Sequence, residues 1–495
     1  MNRALSARIA APLAALAVLA VGALAWPFTI DDAFITARYA QRLASGRGLT
    51  FIGSDAHAVS DGVTSPLWLL PGVIAQRLGT SPLGMGRLGM GPIDAQKLLG
   101  LALMALAAAL IVSRARRRQG GTRAAWMAAL LVASGPTLGV WGVAGLETGA
   151  ATLALTAVVL GATARPRVDA VLVGVCVGLL AWLRPEALPA GVVALITVGI
   201  GGGRRAALTS ALIAASLVVG VAAYRVVLFG HLLPLAAQAK PAELSAGLAY
   251  VARAALVTTG VAGLALAALA ARQGRRGDGW ACAIVATYLA SVAVSGGDWM
   301  PGFRLVAPCL PSLALLASVG ASRALLRSRT RAARIATLAA VALAALVPLV
   351  DLGVQLPEVR AAGQTRAEVA RPLARWLALR ARNVALVDIG YLAYVGGFDV
   401  VDLGGVTDQQ VAQTPGGHLD KALDPAWLAE RAPDAIVLHA STAPRVSATG
   451  ELLSLAGYPI ERRVAAMPWV RAHFRVARIV EYAPGYVYVV MLPRR

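Results

Sequence analysis

Ile30-Asp31-Asp32-Ala33-Phe34-Ile35-Thr36-Ala37-Arg38-Tyr39-Ala40 follows directly on an apolar run that reaches from about residue 9 to residue 28. A run of that length is enough to cross ~30 Å of hydrocarbon, and carboxylates beside lipid are costly unless they face a water-filled cavity. The junction therefore predicts a membrane protein whose chemistry sits at the end of its first span, on Asp31 and Asp32.

Working outward, the 495-residue chain is 58% hydrophobic and 14% charged, with a mean hydropathy of +0.68. No soluble core hides so many long apolar runs. Roughly eleven of them fall near residues 9–28, 96–113, 124–142, 148–163, 168–183, 187–200, 206–229, 249–271, 279–295, 304–322 and 335–351. A net charge of +21 raises the question of nucleic acid, which the placement of the charge answers against. Residues 1–351 hold 30 Lys+Arg and 12 Asp+Glu, whereas residues 352–495 hold 16 and 13. The excess belongs to short loops between spans. Cys176, Cys282 and Cys309 lie in or beside apolar segments without ligand spacing and read as small core residues.

The connectors alternate. Arg114 to Arg123, Arg165/Arg167, Arg204/Arg205, Arg272/Arg275/Arg276 and Arg323 to Arg334 come at every second turn, and the positive-inside rule makes them cytoplasmic, with Arg3 and Arg8. In this orientation all the carboxylates of residues 1–351 except Asp169 and Asp278 lie outside or at the outer face. The N-terminus is then cytoplasmic in a bacterial plasma (inner) membrane, and the C-terminal domain is extracytoplasmic. A signal peptide cleaved near Ala23-Leu24-Ala25 is the alternative for the first span. Gly201-Gly202-Gly203 reads as a loop.

The organisation expected is a transmembrane module over residues 1–351, with a first outer loop at 29–95, and an extracytoplasmic α/β domain over residues 352–495. In the loop, Phe34 to Ala44 reads as an amphipathic helix, and Ser65 to Pro71 as a short interfacial or re-entrant one. In the tail, a helix is expected at Arg366 to Arg380 and another around Pro425 to Arg431. Strands are expected at Val384–Val387, Val400–Leu403, Ala435–His439 and Tyr486–Met491. No GxGxxG is present in the tail, so no nucleotide site is assigned.

Polar residues of the outer loops converge under this topology: Asp31, Asp32, Arg38, Asp61, Thr64, Glu147, Arg184, Glu186, His231, Lys240, Asp298 and Arg304. A carboxylate pair suits general-base work, one Asp taking a proton from an acceptor hydroxyl while the other raises its pKa or orients it, with a divalent cation as an optional bridge. Basic residues on the same face suit a phosphate leaving group. Each has a plainer alternative. Asp31 and Asp32 can cap the helix that begins near Phe34, and Arg184 and Glu186 can be a helix-end ion pair. Asp298 and Trp299 can anchor the interface, His231 can serve a turn, and Glu147 can open a span.

The run Asp31-Asp32-Ala33-Phe34-Ile35-Thr36, Arg38-Tyr39-Ala40, Leu43, Gly46, Gly48-Leu49, Phe51 and Gly62-Val63-Thr64-Ser65-Pro66-Leu67-Trp68 resembles the first outer loop of bacterial polyprenyl-phosphate-dependent glycosyltransferases of the GT-C superfamily. Within it the likeness is greatest to the mycobacterial terminal arabinofuranosyltransferase family. Gly145-Leu146-Glu147-Thr148, Arg184-Pro185-Glu186, Gly230 to Pro234 with Lys240, Gly297-Asp298-Trp299-Met300-Pro301 with Arg304, Asp388-Ile389-Gly390 with Tyr394, and Asp402 to Asp408 look like its later motifs.

The resemblance implies a GT-C fold of about eleven transmembrane helices with the outer α/β domain. It also implies an inverting transfer of a sugar, arabinofuranose as the best single guess, from a polyprenyl-phosphate donor to a cell-envelope glycan or glycoconjugate, as in cell wall biogenesis. Asp31 and Asp32 would then be catalytic, with Arg184, Lys240, Arg304 and His231 on the donor phosphate. Arg38, Thr64, Glu147, Glu186, Asp298 and Trp299 would serve sugar or acceptor, and Tyr391, Tyr394 and Trp427 would stack on the acceptor or pack inside the tail. The resemblance implies no particular cofactor, and a divalent cation stays an option.

Two other classes compete. A lipid-linked sugar transporter or flippase would use the acidic pair as a relay, but its polar residues would lie at midplane in matching inverted repeats, and none is evident. A non-catalytic assembly protein would tolerate Asp31→Asn.

Overall fold

The computed structural model describes residues 3–51, 59–79, 91–118, 120–164, 168–240, 242–272 and 276–494. The readings placed on Arg165, Arg167, Arg275 and part of the first outer loop lie outside them. Two compact units emerge, one of residues 1–28, 96–223 and 242–360, the other of residues 29–95, 224–241 and 361–495.

The first unit is helical, and each apolar run of sequence overlaps a helix. Among the described residues, five helices are by length and composition able to cross a membrane, Pro92–Arg116, Pro185–Phe229, Arg276–Val294, Ala307–Arg327 and Arg331–Ala378. Leu244–Thr258 and Gly260–Arg272 together make a sixth, and four shorter apolar helices accompany them, Arg8–Leu24, Gly121–Ala133, Thr148–Ala162 and Ala170–Leu183. The run at 249–271 is not a straight span. It bends by 93° at Gly260, whose φ of +69° only glycine adopts freely. At the expected Gly201-Gly202-Gly203 loop, two helices within Leu188–Phe229 meet at a break at Gly203, whose φ of +76° and ψ of −174° are not helical, and Arg204 and Arg205 directly follow it.

The two carboxylates that break the charge asymmetry have local reasons. Asp169 caps the helix Ala170–Leu183 by accepting the Leu172 amide. Asp278 is buried between Arg323, 2.5 Å away, and Arg118, 3.3 Å away, and Arg323 also donates to the Ala270 carbonyl. Gly320 lies so close to the Leu266 carbonyl that any Cβ would overlap it, the small-residue packing that lets membrane helices approach.

In the second unit the first-loop helix spans Asp31–Ala44, three residues earlier than the apolar pattern suggests. Pro66–Trp68 forms a 3-10 turn that leads into the helix Leu69–Gly79. The tail helix expected at 366–380 is a π turn, Arg366–Ala370, running into Arg371–Ala378 and continuing the helix Arg331–Thr365 rather than starting afresh.

The tail sheet has strands β1 (Asn383–Leu386), β2 (Asp399–Asp402), β3 (Ala435–Ala440), β6 (Phe474–Ala483) and β7 (Tyr486–Pro493), while β4 (Arg445–Val446) and β5 (Leu452–Ser454) form a small hairpin. The order is β2-β1-β3-β7-β6, with β1 parallel to β2 and β3, and β7 antiparallel to β3 and β6. β3 is central and buried along its whole length, as its run Ala435-Ile436-Val437-Leu438 requires. Leu403, Trp427, Leu428, Ile436, Leu438, Ile460, Val464, Phe474 and Val489 belong to the core around it. Since β2 and β3 flank β1 on opposite sides, the carboxyl ends of β1 and β3 border the point where strand order reverses, where open sheets of this kind take up ligands.

Candidate active site

Asp31 opens its helix, yet neither it nor Asp32 caps it: the N-cap is Ile30, with no side-chain bond. Asp31 instead turns to the loop after β1, where Oδ2 accepts the Gly390 amide and Oδ1 the Tyr391 amide, each at 2.9 Å. Gly390 has to be glycine, since a Cβ there would overlap both the main-chain oxygen and the carboxylate of Asp31. Burial first, and then the neighbouring Asp388, push the half-buried Asp31 carboxyl up to about 6 against the pull of Arg366 and the Tyr391 amide. Arg366 donates to the Thr29 carbonyl and lies over the rings of Phe34 and Tyr391.

Behind Asp31 stands a charge chain built on the sheet. Asp388, just past β1, accepts the Tyr486 hydroxyl and lies 3.3 Å from His439 Nε2. His439, on β3, places Nδ1 2.5 Å from Glu461, whose carboxylate also accepts the amides of His439 and Tyr458. Burial alone would lower the imidazole, but the two flanking carboxylates outweigh it and raise His439 to about 10. Burial alone would raise Asp388, and His439 with the Tyr486 hydroxyl holds it down at about 2. Asp388 and His439 are therefore both charged at neutral pH, and the neighbouring Asp31 is the group poised to titrate. His418 lies within electrostatic reach of Asp32 and Asp388, and burial together with Lys240 lowers it to about 4, so it is neutral at pH 7.

Arg38 and Arg42 occupy another face of the first-loop helix. Arg38 donates to the carbonyls of Ala393 and Phe398 at 2.9 and 2.7 Å, and Arg42 pairs with Asp399 at 3.3 Å. Arg38 thus ties helix to tail. Tyr391 and Tyr394 pack against Phe34, and Trp427 is in the sheet core. Asp61 forms a buried pair with Arg225, which also holds the Thr64 carbonyl at 2.9 Å, and His231 Nδ1 stands 3.8 Å from Asp61.

In the first unit, Arg184 lies between Glu147 at 2.7 Å and Glu186 at 3.2 Å. Arg304 pairs with Asp298 at 2.5 Å. Trp299 is 75% exposed, and the turn after it is strained, with Phe303 at a φ of +58°. A cavity of about 560 Å³ there is lined by Asp298, Trp299, Arg253, Asp351, Gln355 and Glu358 among others. Among the described residues no three His, Cys, Asp or Glu side chains converge as a metal cage.

This architecture is shared with solved structures. The chain is similar to ArnT from Cupriavidus metallidurans bound to undecaprenyl phosphate, at 12% identity and a TM-score of 0.59, covering 97% of both chains. The apo state of the same protein gives 13% identity, a TM-score of 0.57, and 96% and 97% coverage. The chain has the GT-C membrane fold. The archaeal oligosaccharyltransferase AglB from Archaeoglobus fulgidus, in complex with an inhibitory peptide and a dolichol-phosphate, aligns with a TM-score of 0.50 at 12% identity, over 88% of this chain and 69% of that one. Residues 357–489 match a family described as a domain of unknown function, DUF8728. No curated protein sequence matches the chain.

The sequence reading missed Arg366, His418, His439, Glu461 and Tyr486. One signal was available: His439 lies in an otherwise wholly apolar strand, an unusual place for an imidazole without a partner.

Proposed function

We propose that this protein is an inverting glycosyltransferase that moves a sugar, arabinofuranose as the leading candidate, from a polyprenyl-phosphate carrier to a hydroxyl of a cell-envelope glycan at the outer face of the plasma membrane. The observation that carries the reading is Asp31, a half-buried carboxylate held by two amides and raised to about 6, close to the working pH a general base needs. The fold supports it, since the structures it resembles carry undecaprenyl phosphate and a dolichol-phosphate.

Asp31 takes the proton of the acceptor hydroxyl as that oxygen bonds to the anomeric carbon. The bond from that carbon to the phosphate oxygen breaks, and the polyprenyl phosphate leaves with the electron pair. Asp32 assists, and Lys240 and His231 are the second unit's candidates for the departing phosphate. Arg184 and Arg304, already paired with carboxylates, are candidates in the first.

The test is transfer in detergent from polyprenyl-phosphoryl arabinofuranose to a synthetic oligosaccharide by wild type, Asp31→Asn and Asp32→Asn. Activity lost in Asp31→Asn at unchanged expression supports the assignment. Full activity in both variants sinks it, and donor binding without transfer by wild type points to another acceptor.

A further inference from the structure

We propose that the β6–β7 hairpin, with Tyr482, Tyr486 and Asp388, binds a neutral sugar ring of the acceptor glycan beside Asp31; this rests on the transfer reading above. The strand pairing brings the tyrosines together. β6 and β7 pair through Val480 with Tyr488, Glu481 with Val487, and Ala483 with Tyr486, so the register slips by one residue at Tyr482. Such a bulge re-aims the side chain it carries. Tyr482 packs against Tyr486 and Tyr488, which share one face by the two-residue period of a strand.

Their ring centroids lie 5.3 to 5.6 Å apart at steep mutual angles. The rings of Tyr486 and Tyr488 lie 4.9 and 5.1 Å from that of His439. Tyr488 is buried and forms the wall; Tyr482 and Tyr486 are half-buried and remain accessible. The Asp388 side chain is 38% exposed.

This is the equipment for a polyol. Ring faces stack on the C–H face of a sugar, the Tyr486 hydroxyl is spent on holding Asp388, and the Asp388 and Asp31 carboxylates accept from neighbouring sugar hydroxyls. The facing charges are Asp31, Asp388 and Glu461 against Arg366 and His439, which gives no excess of positive charge for an anion. The ligand is therefore a neutral glycan, not the donor phosphate. The position agrees independently, since Asp388 and His439 stand at the carboxyl ends of β1 and β3, beside the reversal of strand order.

The full chain in detergent is tested by saturation-transfer NMR with short oligoarabinofuranoside, oligogalactofuranoside and oligomannoside probes, for wild type, Tyr482→Ala and Tyr482→Phe, beside transfer kinetics. Expected are binding of at least one probe by wild type, about a tenfold weakening in Tyr482→Ala, near-complete rescue in Tyr482→Phe, and a raised KM for acceptor with the KM for donor unchanged. Failure of every probe to bind wild type, or equal binding by Tyr482→Ala, overturns the subsite. Probe binding that depends on Tyr482 without any sugar transfer would leave the subsite standing while the transferase reading falls.

Discussion

Replacing His439 with glutamine removes the one positive charge that Glu461 and Asp388 share. The His439 side chain is 4% exposed and that of Glu461 0%, so the variant strands a buried carboxylate. Raising the imidazole from 6.5 to about 10 corresponds to about 5 kcal/mol at roughly 1.4 kcal/mol per pH unit. The depressed Asp388 expresses part of the same energy and is not added. Water screens the part due to the more open Asp388, and breaking a buried pair typically costs about 3–5 kcal/mol, so the expected loss is about 3 kcal/mol.

The assay is thermal and denaturant unfolding of the full chain in detergent across pH. Because the folded pKa lies above the unfolded one, the stabilisation is complete below pH ~6.5 and disappears as pH rises through about 10. Wild type should lose stability steadily from pH 7 to 10, and His439→Gln should lack that component. Adding Glu461→Gln should recover most of the loss, since the only carboxylate left without His439 is the more open Asp388. A His439→Gln protein within about 0.5 kcal/mol of wild type at pH 7, or one that keeps the wild-type slope, would refute the charge chain.

Three further outcomes follow from the same geometry. With Asp31 raised to about 6, transfer should rise with pH through that value, whereas the stability this group contributes is full below 3.8 and lost over the same rise; an activity profile flat from pH 5 to 8 would rule out Asp31 as base. Gly390→Ala should displace Asp31 and cut transfer about a hundredfold or more, while circular dichroism stays native; undiminished transfer would show that the two amides do not position the base. In the first unit, Arg323→Leu should cost about 3 kcal/mol by leaving Asp278 with Arg118 alone, and an unchanged melting curve would show that Arg118 suffices.

The membrane fold was legible because apolar length is written in composition, and the helices fall where the runs do. What composition does not encode is direction: the 93° bend after Thr258 lies inside a run apolar enough overall to read as one span, and mean hydropathy does not distinguish a straight span from a folded one. β6 escaped because Arg475, Arg478 and Glu481 face solvent on an edge strand and blur its alternation. Asp31 and Asp32 were visible from their position after a span. The partners of Asp31 were not, since Gly390 and Tyr391 lie 359 and 360 residues further along, and the pairing of Asp388 with His439 and Tyr486 depends on strand order, which local spacing does not reveal. Arg38 shows the converse: its motif was read as sugar-binding, while its guanidinium is taken up by two tail carbonyls.

The bond from Asp31 to the amides of residues 390 and 391 also orders events in the life of the chain. Asp31 is joined 359 and 360 residues before its two amide donors and stays without them until the loop after β1 has been made and has folded. A nascent or prematurely terminated chain therefore has an unoriented carboxylate. On the transfer reading, competence is thus withheld until the tail sheet has folded, a proofreading of synthesis by geometry alone.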